Sequence, residues 1–120
     1  MPDFVPAPVK PTISLDVLDA VDIRVGEILG VEDVPGSSKL VRLRVSFGDH
    51  ERTILAGLKR ERSDLSILIG PQALFVVNLE PKRMAGESSE GMLFDIGYAD
   101  GIRPALAMPE NPVPNGSRAG

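Results

Sequence analysis
The sequence predicts a small, mainly β domain: a five-stranded barrel with a short helix ahead of it and another short helix inserted. Three observations carry this. Apolar and polar residues alternate with period two over 21–25 and 41–47, and an unbroken apolar run covers 73–77. Clusters of Gly, Pro, Asn, Asp and Ser separate these runs, as short strands joined by turns require. A length of 120 residues, 42% hydrophobic and 25% charged, allows one modest core and no second.

Residues 1–12 hold prolines at 2, 6, 8 and 11 without periodicity and read as a flexible, extended arm. Ser14 then offers an N-cap for a short helix with Asp16 in its first turn and Leu15, Val17 and Leu18 available for burial. Strand one follows: Val21, Ile23 and Val25 alternate with Asp22 and Arg24, and the alternation slips at Gly26, which predicts a bulge there. The turn formers of 33–38 close it. Strand two sends Val41, Leu43, Val45 and Phe47 to one face and Arg42, Arg44 and Ser46 to the other. Strand three lies near Arg52–Ala56, and residues 58–69 suit a short helix. Ala73–Val77 reads as a strand buried on both sides. Asn78–Gly91 is a long polar connection, Met92–Phe94 and Pro104–Met108 are closing strands, and 111–120 is a loop-like tail. The folded domain is therefore expected over 13–110. Five short strands with an inserted helix match the OB-fold, a partly open Greek-key barrel. An SH3-like barrel accounts less well for the segment between strands three and four.

Composition excludes several functions. Without cysteine there is no disulfide or thiolate metal site, and one histidine, His50, supports neither a multi-His metal site nor much general-base chemistry. No apolar run nears the ~20 residues that span a bilayer. The opening Met1-Pro2-Asp3-Phe4 lacks a signal-peptide pattern, so a cytoplasmic protein without membrane contact is expected. Gly26 and Gly30 form no dinucleotide fingerprint, Ser88-Ser89 lacks a nucleophile's context, and Glu80, Glu87 and Glu90 read as solvated loop acids. No catalytic residue, metal or cofactor is expected, and the chain reads as a non-enzyme. The net charge of −4 at first opposes a nucleic-acid partner. Yet residues 22–94 hold ten of the thirteen basic side chains against eleven acidic ones, and RNA binding responds to where positive charge clusters.

In an OB-fold the connections between strands one and two and between strands four and five border the ligand face. Here the first ends on Lys39, and the second carries Asn78, Lys82, Arg83, Ser88 and Ser89. Lysine and arginine neutralise phosphates, while asparagine and serine position a backbone or read base edges. Plain structural roles stand beside these. Arg24 suits the solvated side of strand one, Asn78 a backbone cap, and Met92 a core or interface position.

The chain resembles the tRNA-binding domain family, found free-standing and in the C-terminal part of methionyl-tRNA synthetases. The resemblance is carried by Asp22-Ile23-Arg24-Val25-Gly26-Glu27-Ile28, Pro35-Gly36-Ser37-Ser38-Lys39-Leu40, Ile54-Leu55-Ala56-Gly57 and the run from Asn78 to Leu93. Arg83-Met84-Ala85-Gly86 and Pro112-Val113-Pro114-Asn115-Gly116 look most like the CsaA branch, small dimers also described as secretion-related chaperones. The resemblance implies a homodimer that presents one groove to the outside corner of tRNA, with Arg24, Lys39, Asn78, Arg83, Ser89 and Met92 on the ligand side. It also implies unfolded polypeptides as alternative partners. Glu80 and Ala85 stand where many members carry Lys and Arg, which thins the phosphate-contacting charge.

Overall fold
The computed structural model describes residues 4–60 and 62–120, so Met1-Pro2-Asp3, the start of the predicted arm, lies outside the described residues. Helix α1 spans Leu15–Asp19, and the Ser14 hydroxyl accepts from the Val17 N–H, as its capping position predicts. The expected burial does not follow. α1 buries none of its residues, and Leu15, Val17 and Leu18 are 69%, 53% and 55% exposed.

Strand β1 (Ile23–Asp33) organises everything after it. Its first half pairs antiparallel with β4 (Gln72–Val76), and its second half with β2 (Val41–Ser46), which in turn pairs with β3 (Glu51–Ala56). Handing one long strand from one partner to the next curls the sheet into an OB-like half-barrel. The bulge that permits this lies not at Gly26 but further along, where the β1–β2 register shifts between Ile28 and Gly30. Gly26 answers a different need. A Cβ there would meet Val45 Cγ1 at 2.5 Å and Phe47 Cε1 at 2.9 Å, so the glycine lets β1 lie against the core side chains of β2. Core residues Ile28, Leu43, Val45, Ile54, Ala73 and Phe75 are wholly buried. Leu43 and Val45 were foretold by alternation, whereas the 73–77 run expected to be buried on both sides leaves Leu74 and Val77 half-buried.

Among the described residues of 58–69 there is one 3₁₀ turn, Leu65–Leu68, capped by the Asp64 side chain accepting from Ser66 N–H. Ile69 is already extended, Gly70 N–H donates to the Ile28 carbonyl, and Pro71 follows. These contacts leave no length for an α-helix.

The connection 78–91 is also more ordered than its composition suggests. It forms a hairpin of β5 (Lys82–Met84) and β6 (Glu87–Ser89) across the two-residue turn Ala85-Gly86. Both turn residues have positive φ, 50° and 81°, the requirement of a type I′ turn whose twist matches its strands. Met92–Leu93 (β7) continues from the hairpin to pair with β4. Asp95–Ile96 (β8) pairs with Ala105–Leu106 (β9) around a 3₁₀ turn at Tyr98–Asp100, so the predicted strand 104–108 is only two residues long. Residues 111–120 do not hang free as a loop. Arg118–Ala119 (β10) pairs with the start of β1, and Gln72 and Asn115 fasten the approach through side-chain bonds.

Candidate nucleic-acid interface
The 33–40 turn and the 82–89 hairpin meet over a small satellite core. Val34 and Leu40 from the turn and Leu55 from β3 are buried together, with Met84 of the hairpin packed on them. Two polar clamps fix the hairpin. Arg42 on β2 donates a fork to Glu87, Nε to Oε1 at 2.7 Å and Nη2 to Oε2 at 2.8 Å, which holds the Glu87 carboxyl below the usual range. Ser89, 3% exposed, accepts from Leu55 N–H at 3.0 Å and donates to the Gly91 carbonyl at 2.8 Å. Glu90 adds a further stitch, exchanging bonds with Thr53 of β3. The hairpin is thus secured to the edge of β3.

Beside it opens a cleft of about 470 Å³. Leu40, Leu55 and Met84 supply an apolar floor, Met92 and Tyr98 stand at its side, and Lys39 and Arg60 line it with charge. Lys82 and Arg83 are exposed on the hairpin strand that carries Met84, and Arg83 donates to the Gly86 carbonyl. Lys39, Arg60, Lys82 and Arg83 have no carboxylate partner among the described residues. Five other cations are paired: Arg24 with Asp22, Arg42 with Glu87 and Glu32, Arg44 with Glu51, Lys59 with Asp33 and Arg118 with Asp22, while Lys10, Arg52 and Arg103 also lack a carboxylate partner among the described residues.

Arg24 and Asn78 lie apart from this cleft, in a separate groove of about 320 Å³ with Asp49, His50 and Arg52. Both are engaged internally. Arg24 forks onto Asp22, at 2.9 and 3.1 Å, and its guanidinium keeps the Asp22 carboxyl below the ordinary range. Asn78 accepts from Asp22 N–H and donates to the Ala20 carbonyl, clasping the link between α1 and β1. Of the seven residues singled out from the sequence, the structure places Lys39 and Met92 in the lining of one cleft, and Lys82 and Arg83 exposed on the hairpin strand whose Met84 lines it. It gives Ser89 and Asn78 internal partners and sets Arg24 in a second groove. Sequence reasoning missed Arg60, Met84 and Tyr98. Arg60 follows strand three in a stretch read as helical, Met84 sits in a loop whose strand parity was invisible, and Tyr98 stands on a turn without periodic signal.

The curled half-barrel with a polar-rimmed cleft beside its hairpin is the architecture of a small OB-like binding domain. No helix among the described residues is long and apolar enough to cross a membrane. The chain belongs to the tRNA-binding domain family: the family model described as "Putative tRNA binding domain" matches residues 23–118. It is 39% identical over 100 residues to the methionine–tRNA ligase of Chloroherpeton thalassium and 39% identical over 106 residues to that of Thermococcus kodakarensis. Those matches cover 83% and 88% of this chain but only 14% of either ligase. Among solved structures it resembles a MetRS-related protein from Pyrococcus horikoshii, with a TM-score of 0.83 and 31% identity, covering 92% of this chain and 100% of that one. The chaperone CsaA from Bacillus anthracis is similar as well, with a TM-score of 0.75, 27% identity and the same coverage.

Proposed function
We propose that the chain is a non-catalytic tRNA-binding module that acts as a homodimer and holds tRNA through the cleft between the 33–40 turn and the 82–89 hairpin. One observation carries the reading. Lys39 and Arg60 line one apolar-floored cleft, and Lys82 and Arg83 are exposed on the hairpin strand that supplies its Met84; all four lack carboxylate partners among the described residues, in a chain of this family. Uncommitted cations release counterions when they meet phosphate, whereas a cation already paired must first give up its carboxylate. The non-catalytic reading is supported by the likeness to a MetRS-related protein and to a chaperone, each matched over its whole chain. The dimer is supported by α1, whose apolar residues and neighbours Ile13 and Val21 all stand exposed on one copy. Sedimentation equilibrium at micromolar concentration should give twice the 12.8 kDa chain mass.

The binding test is a salt series with total tRNA. Lys39→Ala combined with Arg83→Ala should weaken binding across tRNAs and flatten log K against log salt by about 0.7–0.9 for each phosphate that is no longer neutralised, in each subunit. A double variant that binds like the parent at every salt concentration would refute the assignment. The CsaA likeness and the apolar surface of α1 favour a second reading, a polypeptide-binding chaperone. That reading requires an unfolded polypeptide to bind the same preparation with affinity that persists as salt rises, the opposite of the tRNA signature.

A further inference from the structure
We propose that Tyr98 is a stacking platform for one unpaired nucleotide of the bound RNA, so that the cleft takes a splayed-out base and not a duplex. The inference rests on the tRNA-binding reading and names what part of the RNA the cleft accepts. Tyr98 is the only tyrosine of a chain without tryptophan, and it is 74% exposed at the edge of the cleft. Its ring, apolar in body with a polar tip, therefore presents a face to a ligand beside the cleft.

The ring is presented by a fixed turn. Gly97 and Gly101 bracket it with φ of 100° and 70°, left-handed conformations that suit glycine. Asp100 N–H and Ile102 N–H both donate to the Gly97 carbonyl, and Gly101 N–H donates to that of Tyr98. The Asp100 carboxylate also accepts from Ala7 N–H at 2.6 Å, so the arm ties the turn down from outside. A platform held in place before binding loses little entropy when a base settles on it.

The lining suits a nucleotide part by part. Met92, 49% exposed, offers a polarizable side chain against a base, and Lys39 and Arg60 offer charge for the attached phosphate. Asp95, the one carboxylate among the described lining residues, repels a bare phosphate but accepts from base N–H groups. Stacked bases inside a helix expose no face, so an aromatic platform selects unpaired nucleotides.

The chain's single tyrosine makes the test direct. Incorporating 3-fluorotyrosine gives one fluorine resonance, which should shift on adding an eight-nucleotide single-stranded RNA and stay put with an RNA duplex of equal length. In tRNA titrations Tyr98→Ala should weaken binding by about 5- to 150-fold with an unchanged salt slope, and Tyr98→Phe should bind within about twofold of the parent. Melting temperatures of both variants check that the fold is intact. If Tyr98→Ala keeps full affinity while tRNA binding stays salt-dependent, the platform is refuted and the tRNA reading survives. Loss of affinity in Tyr98→Phe, or an equal fluorine shift with duplex, refutes stacking on an unpaired base. A parent protein that binds no tRNA overturns both.

Discussion
Ser89 separates a residue that touches RNA from one that builds the surface touching it. Its hydroxyl accepts from Leu55 N–H and donates to the Gly91 carbonyl while 3% exposed, so Ser89→Ala leaves a buried backbone donor on β3 without a partner. An unsatisfied buried group costs about 1–3 kcal/mol. The Gly91 carbonyl also loses its donor, but Gly91 is only half-buried and water replaces that bond at lower cost. For a domain of this size the expected fall in melting temperature is about 4–12 °C. Thermal and urea unfolding measure it directly. At a temperature where the variant is folded, its tRNA affinity should stay within about twofold of the parent, because the hydroxyl does not face the ligand. A variant that melts with the parent and loses tRNA affinity by about 0.5–1.5 kcal/mol would show that the hydroxyl faces RNA, and the structural role would be refuted.

Gly26→Ala should destabilise by about 1–3 kcal/mol, because its Cβ falls 2.5 Å from Val45 Cγ1 in a filled core. Combining it with Val45→Ala should cost less than the sum of the two single changes in urea unfolding. Ala85→Asn should stabilise the hairpin by about 0.5–1 kcal/mol, since asparagine tolerates the φ of 50° better than alanine; an unchanged urea midpoint would count against a type I′ turn. Acid should weaken the fold through Asp22 and Glu87, whose carboxyls Arg24 and Arg42 hold below their ordinary values. The folded protein then binds fewer protons there than the unfolded chain, so their stabilisation is complete above the ordinary carboxyl range, about pH 5 and higher, and is lost as pH falls through the lower folded values. Arg42→Met should show a shallower loss of urea stability between about pH 6 and about pH 3 than the parent.

The strands that build the sheet were legible because one face of each is buried. Val41, Leu43, Val45 and Phe47 repeat at period two, and period two fixes which side chains meet the core. What the sequence hid follows from non-local partners. The inserted turn at 65–68 is ended by Gly70 bonding to Ile28, far away in sequence, and no local propensity reports that bond. The hairpin 82–89 has polar residues on both strands because its anchors are a salt bridge to Arg42 and a hydroxyl bond to Leu55, not an apolar stripe. Ser89 and Asn78 drew attention as polar residues on the ligand loops, yet side-chain chemistry alone does not distinguish a group that waits for a ligand from one that satisfies the backbone. Only the partners do.

The same distinction reconciles an acidic chain with an acidic ligand. Net charge acts over distances that salt truncates, about 8–10 Å at physiological ionic strength, so a phosphate at the cleft responds to the groups beside it and little to the total of −4. Beside it, two of the carboxylates that would cancel the cations are engaged: Glu87 is forked by Arg42, and Asp33 is held by Lys59 at the foot of the 33–40 turn, while Asp95 stays in the lining. Pairing therefore does more than hold the fold. On the proposed reading it takes Glu87 and Asp33 out of the local field that Lys39, Lys82 and Arg83 present to the ligand. Arg42→Met should then weaken tRNA binding although Arg42 does not line the cleft, because it frees Glu87 on the hairpin strand opposite Met84. Glu87→Gln in the same background should restore binding by removing the freed charge. If Arg42→Met alone leaves the salt series unchanged, the local field is set by other groups and this account of an acidic RNA-binding chain fails.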